Sequence, residues 1–332
     1  MLLGASVENN KSLNSDITHL LPLDFDFYDN EAILVKTCHQ ELNSRLRLSA
    51  LDFPPDRLIA TPIAEFNEAA DNLDCSRNIN FLFHLPFSGS TFLTRFLEVD
   101  GITLYREPAC IDALFQTVKA SDPPELEKLR LSVLRFLSRE DSGVVWVRTA
   151  GYRPEMYGPL TIGPHCSSAL LLYEDLETFS VQVLKDSRRR RDLKIVMQKQ
   201  ADYFYRNWKI NLQDLAIPQY ISLFWLDAIK RFCNLPVKRK CVLKSKVLFN
   251  DTLATITRLK NLNGFEFCSP PKTSGVFNKH SKTGKKFDKV TRNNEIKINM
   301  EAYAEEIQSA TDFMFRFFES DLTNQLERLE LR

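Results

Sequence analysis

Residues Asn80–Arg95 read NFLFHLPFSGSTFLTR, and the order of residue types along this stretch decides the fold. Asn80–Leu85 is a short apolar run closed by Pro86, the pattern of a strand buried on both faces. Phe87-Ser88-Gly89-Ser90 then reads as a tight turn. From Thr91 to Val99 the apolar residues Phe92, Leu93, Phe96 and Leu97 fall at helical spacing. A strand, a Ser/Gly turn and a helix make an anion site by construction. The first N–H groups of a helix have no intrahelical partner, and glycine lets the backbone approach a ligand closely. Ser90 and Thr91 add hydroxyl donors. The plainer alternative, a strand-to-helix turn capped by a serine, is disfavoured by the flanking pattern. The nucleotide-triphosphate pattern G-x-x-x-x-G-K-[ST] is absent, because no Lys precedes Ser90 or Thr91. That argues against ATP or GTP hydrolysis. Together with the absence of a clear Mg²⁺-binding Asp after a strand, it argues against a kinase.

Outward from this stretch, short apolar runs alternate with helical patterns. Gly101–Tyr105, Gly143–Val147, Ser168–Tyr173 and Cys241–Phe249 read as further strands. Helices are expected over Ala109–Ser138, Asp175–Lys185, Leu193–Trp208, Ile217–Phe232 and Asp251–Leu262, the last with Asn250 as its N-cap, and over Ile298–Leu331. The alternation predicts an α/β three-layer fold: a central parallel sheet with helices on both faces and ligands at the carboxyl ends of the strands. Residues 1–77 read as an N-terminal appendage, loose over 1–18 and helical around 55–73. Residues 78–332 read as the main domain.

The formal net charge of +1 gives no global field for nucleic acid or an anionic membrane. Seven scattered Cys, with no Cys-x-x-Cys pair, predict reduced thiols and neither a disulfide framework nor a metal site. No signal peptide is recognisable, and the longest apolar run, Ala169–Tyr173, is too short to span a bilayer. A cytoplasmic protein is the expectation, with its oligomeric state left open.

The stretch FLFHLPFSGSTFLTRFLE resembles the phosphosulfate loop of the sulfotransferase superfamily, a P-loop fold, and resembles still more a bacterial sulfotransferase-like family with Phe in the loop. Further likenesses follow in the expected order: Arg106-Glu107-Pro108, Trp146-Val147-Arg148, the strand-helix unit Ala169–Lys185 and the late basic loop Phe277–Arg292. Together they cover about residues 78–320. The resemblance implies transfer of a sulfuryl group from 3′-phosphoadenosine 5′-phosphosulfate to a hydroxyl or amine of a small-molecule or peptide acceptor. It assigns Ser88, Gly89, Ser90 and Thr91 to the 5′-phosphate, Ser180 to the 3′-phosphate and Glu107 to the general base. Phe87 stands where the superfamily carries a loop cation, and Leu172-Tyr173-Glu174-Asp175 where it carries the Arg of the 3′-phosphate. Each lost charge-assisted contact costs about 1.5–3 kcal/mol. Arg95, Arg106, Arg148, Lys279, Lys282, Lys285 and Lys286 are the candidate replacements, and Arg106, Arg148 and Lys282 complete the expected donor site. The same departures motivate an alternative, a non-catalytic P-loop relative that binds a nucleotide or another phosphorylated ligand.

Several residues read two ways. Glu107 is a general base, or a partner of Arg106 or Arg148 in a buried polar network. Arg106 and Arg148 form an anion clamp or a structural ion pair. His84 reads as a satisfied core histidine before it reads as catalytic, and His280 is either a ligand contact or exposed. Arg188–Arg191 reads as a solvated face, since no stacking aromatics are interleaved with it. Asn278–Lys286 is a lid or a plain surface loop.

Overall fold

The computed structural model describes residues 20–38, 41–42, 45, 47–73, 79–97, 101–115, 123–139, 144–149, 166–237, 239–261, 289–317 and 320–331. The segments 1–18 and Asn278–Lys286, the latter with Lys279, His280, Lys282, Lys285 and Lys286, lie outside the described residues.

The N-terminal part is a three-stranded antiparallel sheet of β1 (Leu20–Asp26), β2 (Glu31–Lys36) and β3 (Leu58–Pro62), followed by helix α1 (Ile63–Asp71). The helix expected around 55–73 is therefore shorter than predicted. Its first half pairs with β2 as a strand, because Leu58, Ala60 and Pro62 belong to the β3 register. The main sheet has five strands, β4 (Ile79–His84), β5 (Ile102–Arg106), β6 (Val144–Arg148), β7 (Cys166–Tyr173) and β8 (Lys240–Lys244). They lie in the order β5-β6-β4-β7-β8, every neighbouring pair parallel. This is the predicted three-layer α/β architecture.

Side chains alternate across a strand, so each strand feeds two cores. Phe81, Phe83, Tyr105, Val147, Leu171 and Tyr173 face one side. That side is covered by α3 (Ala109–Phe115), α4 (Pro124–Leu137), α5 (Leu176–Leu184), α8 (Ile217–Cys233) and α12 (Ala304–Phe317). Leu82, Leu104, Trp146, Leu170 and Leu172 face the other. Their cover is α2 (Ser90–Thr94) with the 3₁₀ turn Arg95–Leu97, α9 (Ser245–Asn250) and α10 (Thr252–Asn261).

The strand expected over Cys241–Phe249 ends at Lys244 and turns helical at Ser245, so one apolar run serves two elements. The cap of α10 is Asp251, whose Oδ1 accepts the Ala254 N–H at 3.0 Å, and not Asn250. The helix expected over Leu193–Trp208 is two: α6 (Ser187–Gln198), capped by Asp186, and α7 (Ala201–Trp208). The C-terminal region supplies α11 (Lys289–Ala302), α12 and α13 (Ser320–Leu329). No described helix is long and apolar enough to cross a membrane.

One topological feature positions the site. Adjacent strands β4 and β7 send their chains to opposite faces, β4 into α2 and β7 into α5. Such a divergence opens a crevice beyond the carboxyl ends of the two strands, where α/β sheets bind ligands.

Candidate anion site at the sheet's carboxyl edge

Leu85–Thr91 forms one wall of that crevice. The loop is anchored at its start, where the Leu85 N–H donates to the Leu172 carbonyl of β7 at 3.0 Å. Ser88 turns inward: its hydroxyl donates to the Leu85 carbonyl at 2.7 Å and its N–H reaches the same oxygen at 3.3 Å. The Ser88 hydroxyl is thus a structural group, and both its O–H and its N–H are used within the turn. Gly89 adopts φ +87°, which opens the turn and starts α2. The N–H groups of Phe92 and Leu93 both close on the Gly89 carbonyl, at 2.9 and 3.0 Å. The N–H groups of Gly89, Ser90 and Thr91 meet no acceptor among the described residues, and neither does the Ser90 hydroxyl. These are the donors that the sequence pattern predicted. The helix behind them is shorter than the expected Thr91–Val99. Five α-helical residues pass directly into a 3₁₀ turn, so the N–H groups themselves, more than a long helix dipole, make the site electropositive.

Two backbone outliers flank the crevice. Phe87 has φ +69° and Glu107 has φ +47°. Neither residue type tolerates the left-handed region well, and Glu107 precedes a proline, which restricts it further. Strain of roughly 1–3 kcal/mol persists only where surrounding contacts enforce it, and it concentrates at functional sites. At Glu107 the enforcing contacts are visible. Its N–H donates to the Arg148 carbonyl at 2.7 Å, and its carboxylate lies 2.7 Å from Arg148 Nη2. Arg148 is buried, and its Nη1 donates to the Thr91 hydroxyl at 3.0 Å. Burial pulls the Arg148 guanidinium below its ordinary value, while Glu107 opposes that shift. A single guanidinium therefore ties the candidate base to the candidate phosphate loop. Arg106, in register with Arg148 on the adjacent strand, is fully buried and donates to the Arg45 carbonyl of the N-terminal part at 3.1 Å.

The opposite wall comes from β7, β8 and α9. The Ser245 hydroxyl lies 2.5 Å from the Ser88 carbonyl and 3.0 Å from that of Tyr173, stapling the loop to both strand ends. The Phe249 ring presses against Gly89 and packs on Phe92, with centroids 5.2 Å apart. Arg292 of α11 stacks on the Phe249 ring at 4.6 Å and binds the Glu174 carboxylate at 2.5 Å. Glu174 is buried. Burial pushes its carboxyl up to about 7, against the opposing pull of Arg292 and the neighbouring Ser245 hydroxyl. Asp175 is held by Lys244 at 3.6 Å. Both carboxylates of the Glu174-Asp175 pair thus face a cation, Arg292 for Glu174 and, for Asp175, a Lys244 that also meets Glu330 at 3.0 Å. Ser180, on α5, is completely buried, and its hydroxyl has no partner among the described residues.

His84 sits between the carbonyls of Leu85 (3.2 Å) and Thr149 (3.0 Å), the satisfied core histidine of the plainer reading. The run Arg188–Arg191 is not wholly a solvated face. Arg188 is exposed, but Arg190 donates to the Leu184 carbonyl at 2.6 Å and Arg189 lies over the Phe87 ring at 4.2 Å. Ser245 and Phe249 were missed from the sequence because they sit in a run read as strand, while Arg292 was named only as the end of the late basic loop Phe277–Arg292 and Arg189 only within the run Arg188–Arg191 read as a solvated face. No spacing signal connects them to residues 85–91, which they reach only through the fold. No protein-family model matches the chain, and no curated protein matches it in sequence.

Proposed function

We propose that the crevice between β4 and β7 binds the phosphate of a nucleotide donor and that the protein is a sulfotransferase-like transferase. The observation that carries this reading is the set of three consecutive N–H groups, Gly89, Ser90 and Thr91, that meet no acceptor among the described residues at the topological switch point. The donor that the resemblance implies is 3′-phosphoadenosine 5′-phosphosulfate, and the residues present fit one of its phosphates well. Ser180, which the resemblance assigns to a second phosphate, is completely buried, so its hydroxyl, without a partner among the described residues, would meet that phosphate only if the packing around α5 opened. The donor supplies a sulfuryl group on a phosphate leaving group. Glu107 takes the proton of the acceptor hydroxyl or amine. The loop N–H groups and Arg148 stabilise the negative charge that gathers on the phosphate oxygen as the bond to sulfur breaks. The Arg148 bridge between Glu107 and Thr91 holds base and phosphate site in one rigid unit, which lowers the cost of aligning acceptor and donor.

Calorimetric titration with 3′-phosphoadenosine 5′-phosphate tests the donor site: binding is expected, and no heat at millimolar nucleotide would sink this reading. Sulfate transfer to a panel of hydroxyl and amine acceptors tests the chemistry. Glu107→Gln is expected to cut that transfer about 10²–10⁴-fold, the usual contribution of a general base, with nucleotide affinity nearly unchanged.

A second reading is favoured by the buried Glu174–Arg292 pair beside the loop. On this reading the protein binds a phosphorylated ligand and transfers nothing, because Glu174 engages a cation that the donor's second phosphate would need. Sulfate transfer that depends on Glu107 would reject it.

A further inference from the structure

The loop has no cation in sequence: Leu85–Thr94 contains neither Lys nor Arg. Two guanidinium groups near it are each shared with a carboxylate, Arg148 with Glu107 at 2.7 Å and Arg292 with Glu174 at 2.5 Å. A third, Arg189, also meets a carboxylate, Asp186 at 3.3 Å, but through Nε, and its guanidinium lies over an aromatic ring of the loop itself. We propose that Arg189 is a phosphate-binding residue of this loop, presented to the anion on the face of Phe87. The proposal rests on the phosphate reading of the loop given above.

The geometry of both partners supports it. Phe87 keeps a left-handed backbone, and the residue remains 37% exposed on the loop. A bulky residue held in this way needs a compensating contact, and the ring's contact is the Arg189 guanidinium, its Cζ 4.2 Å from the centroid. Arg189 is fixed from its other side as well. Nη1 donates to the Gln182 carbonyl at 2.7 Å and lies 3.2 Å from Gln182 Oε1. Nε lies 3.3 Å from Asp186 Oδ2. Asp186 is itself fixed, since its other oxygen caps α6 through the N–H groups of Arg188 and Arg189 at 2.9 and 3.4 Å. One face of the guanidinium and two of its nitrogens are therefore committed. The N–H groups of Nη2 meet no acceptor among the described residues.

A planar guanidinium stacked on an aromatic ring, oriented by hydrogen bonds at one end and open at the other, is preorganised for an oxyanion. Little side-chain entropy is left to lose on binding. The other arginines of the run do not share this arrangement. Arg188 faces Asp192 at 3.8 Å in solvent, and Arg190 is turned to the Leu184 carbonyl. The cation that the loop lacks in sequence is thus supplied in space from α6, about one hundred residues later in the chain.

The test is calorimetric titration of the full chain with 3′-phosphoadenosine 5′-phosphate and, separately, with inorganic pyrophosphate. It compares wild type with Arg189→Gln, Arg189→Lys and Phe87→Leu, with the ligand-free melting temperature of each variant as the control for folding. Arg189→Gln is expected to weaken binding of both probes about 10–100-fold, the loss of one charge-assisted contact. Arg189→Lys is expected to recover only part of that, because a point charge does not stack or fork as a guanidinium does. Phe87→Leu, which leaves the charge and removes its platform, is expected to weaken binding by less than Arg189→Gln. Wild-type binding that is unchanged in Arg189→Gln overturns the assignment and leaves the loop reading standing. Failure of wild type to bind either probe at millimolar concentration overturns the loop reading and the assignment together.

Discussion

A methyl group at Gly89 would lie 2.6 Å from Cζ of Phe249, closer than carbon atoms approach, at a φ of +87° that side chains rarely adopt. Gly89 thus answers to two constraints, a left-handed turn and the ring of α9. Gly89→Ala is expected to destabilise the protein by about 1–3 kcal/mol, the usual range for a strained left-handed alanine combined with overpacking. In the background Phe249→Leu the same change should cost less, because the steric part is relieved while the backbone part persists. Urea melts of the four proteins measure this coupling, and equal costs in both backgrounds would show that the ring is not the constraint. The sequence marks Gly89 as the residue of a close approach, but it names only a phosphate as what approaches. Phe249 stayed hidden because it sits in an apolar run that reads as the end of a strand. Glu107 was legible as a candidate base from its place after β5. Its left-handed backbone was not, since the Arg148 contacts that enforce it come from the neighbouring strand.

Among the elements, the strands of the parallel sheet were the most legible, because a strand buried on both faces shows as an apolar run bounded by turn residues, whereas the three strands of the N-terminal sheet were not read. Four of the five predicted runs lie within a residue or two of the observed strands, and the fifth, Cys241–Phe249, was read too long. An apolar run carries no sign of where strand period gives way to helix, and here the change falls at Ser245, whose hydroxyl staples the loop. The consequence is chemical, for the turn into α9 brings Ser245 and Phe249 to the crevice beside Glu174. That carboxyl has an ordinary value of 4.5 and is pushed up to about 7 by burial, despite Arg292. Asp175 next to it adds to the rise, while Lys244, shared between Asp175 and Glu330, partly neutralises that neighbour. Between these two values the folded protein holds a proton that the unfolded chain has released. Stability must therefore fall as pH rises from about 4.5 to about 7, by on the order of 3 kcal/mol for this group. Glu174→Gln cannot ionise, so the difference in unfolding free energy between wild type and variant should change by that amount across the window. A difference that stays flat from pH 4.5 to 7.5 would mean that Arg292 keeps Glu174 ionised throughout.

Across the whole molecule, the N-terminal part could be bounded from the sequence but not placed, and its packing bears on the site. Phe66 of α1 stacks on Phe136 of α4 with centroids 4.7 Å apart, and it meets Phe25 of β1 edge-on. The Leu48 N–H donates to the Arg106 carbonyl at 3.1 Å, and the Ala109 N–H donates to the Leu48 carbonyl at 2.8 Å. These two bonds bracket Glu107, so the N-terminal part holds the turn that carries the candidate base. The buried residues of the N-terminal sheet and those on one face of the main sheet belong to one continuous core. Such continuity predicts a single cooperative unfolding transition and no early loss of residues 20–71. The sequence offers a clean probe, because all three tryptophans, Trp146, Trp208 and Trp225, lie beyond the N-terminal part. Phe66→Ala removes a ring buried among aromatic neighbours and should cost about 3–5 kcal/mol. If the molecule unfolds as one unit, that cost appears in full as a lower midpoint of tryptophan fluorescence, although the substitution lies eighty residues before the first tryptophan. It also appears at the same midpoint in far-ultraviolet circular dichroism. A fluorescence midpoint left in place while the dichroism splits into two steps would instead make the N-terminal part an independent unit, and the turn at Glu107 would then owe its strained backbone to Arg148 alone.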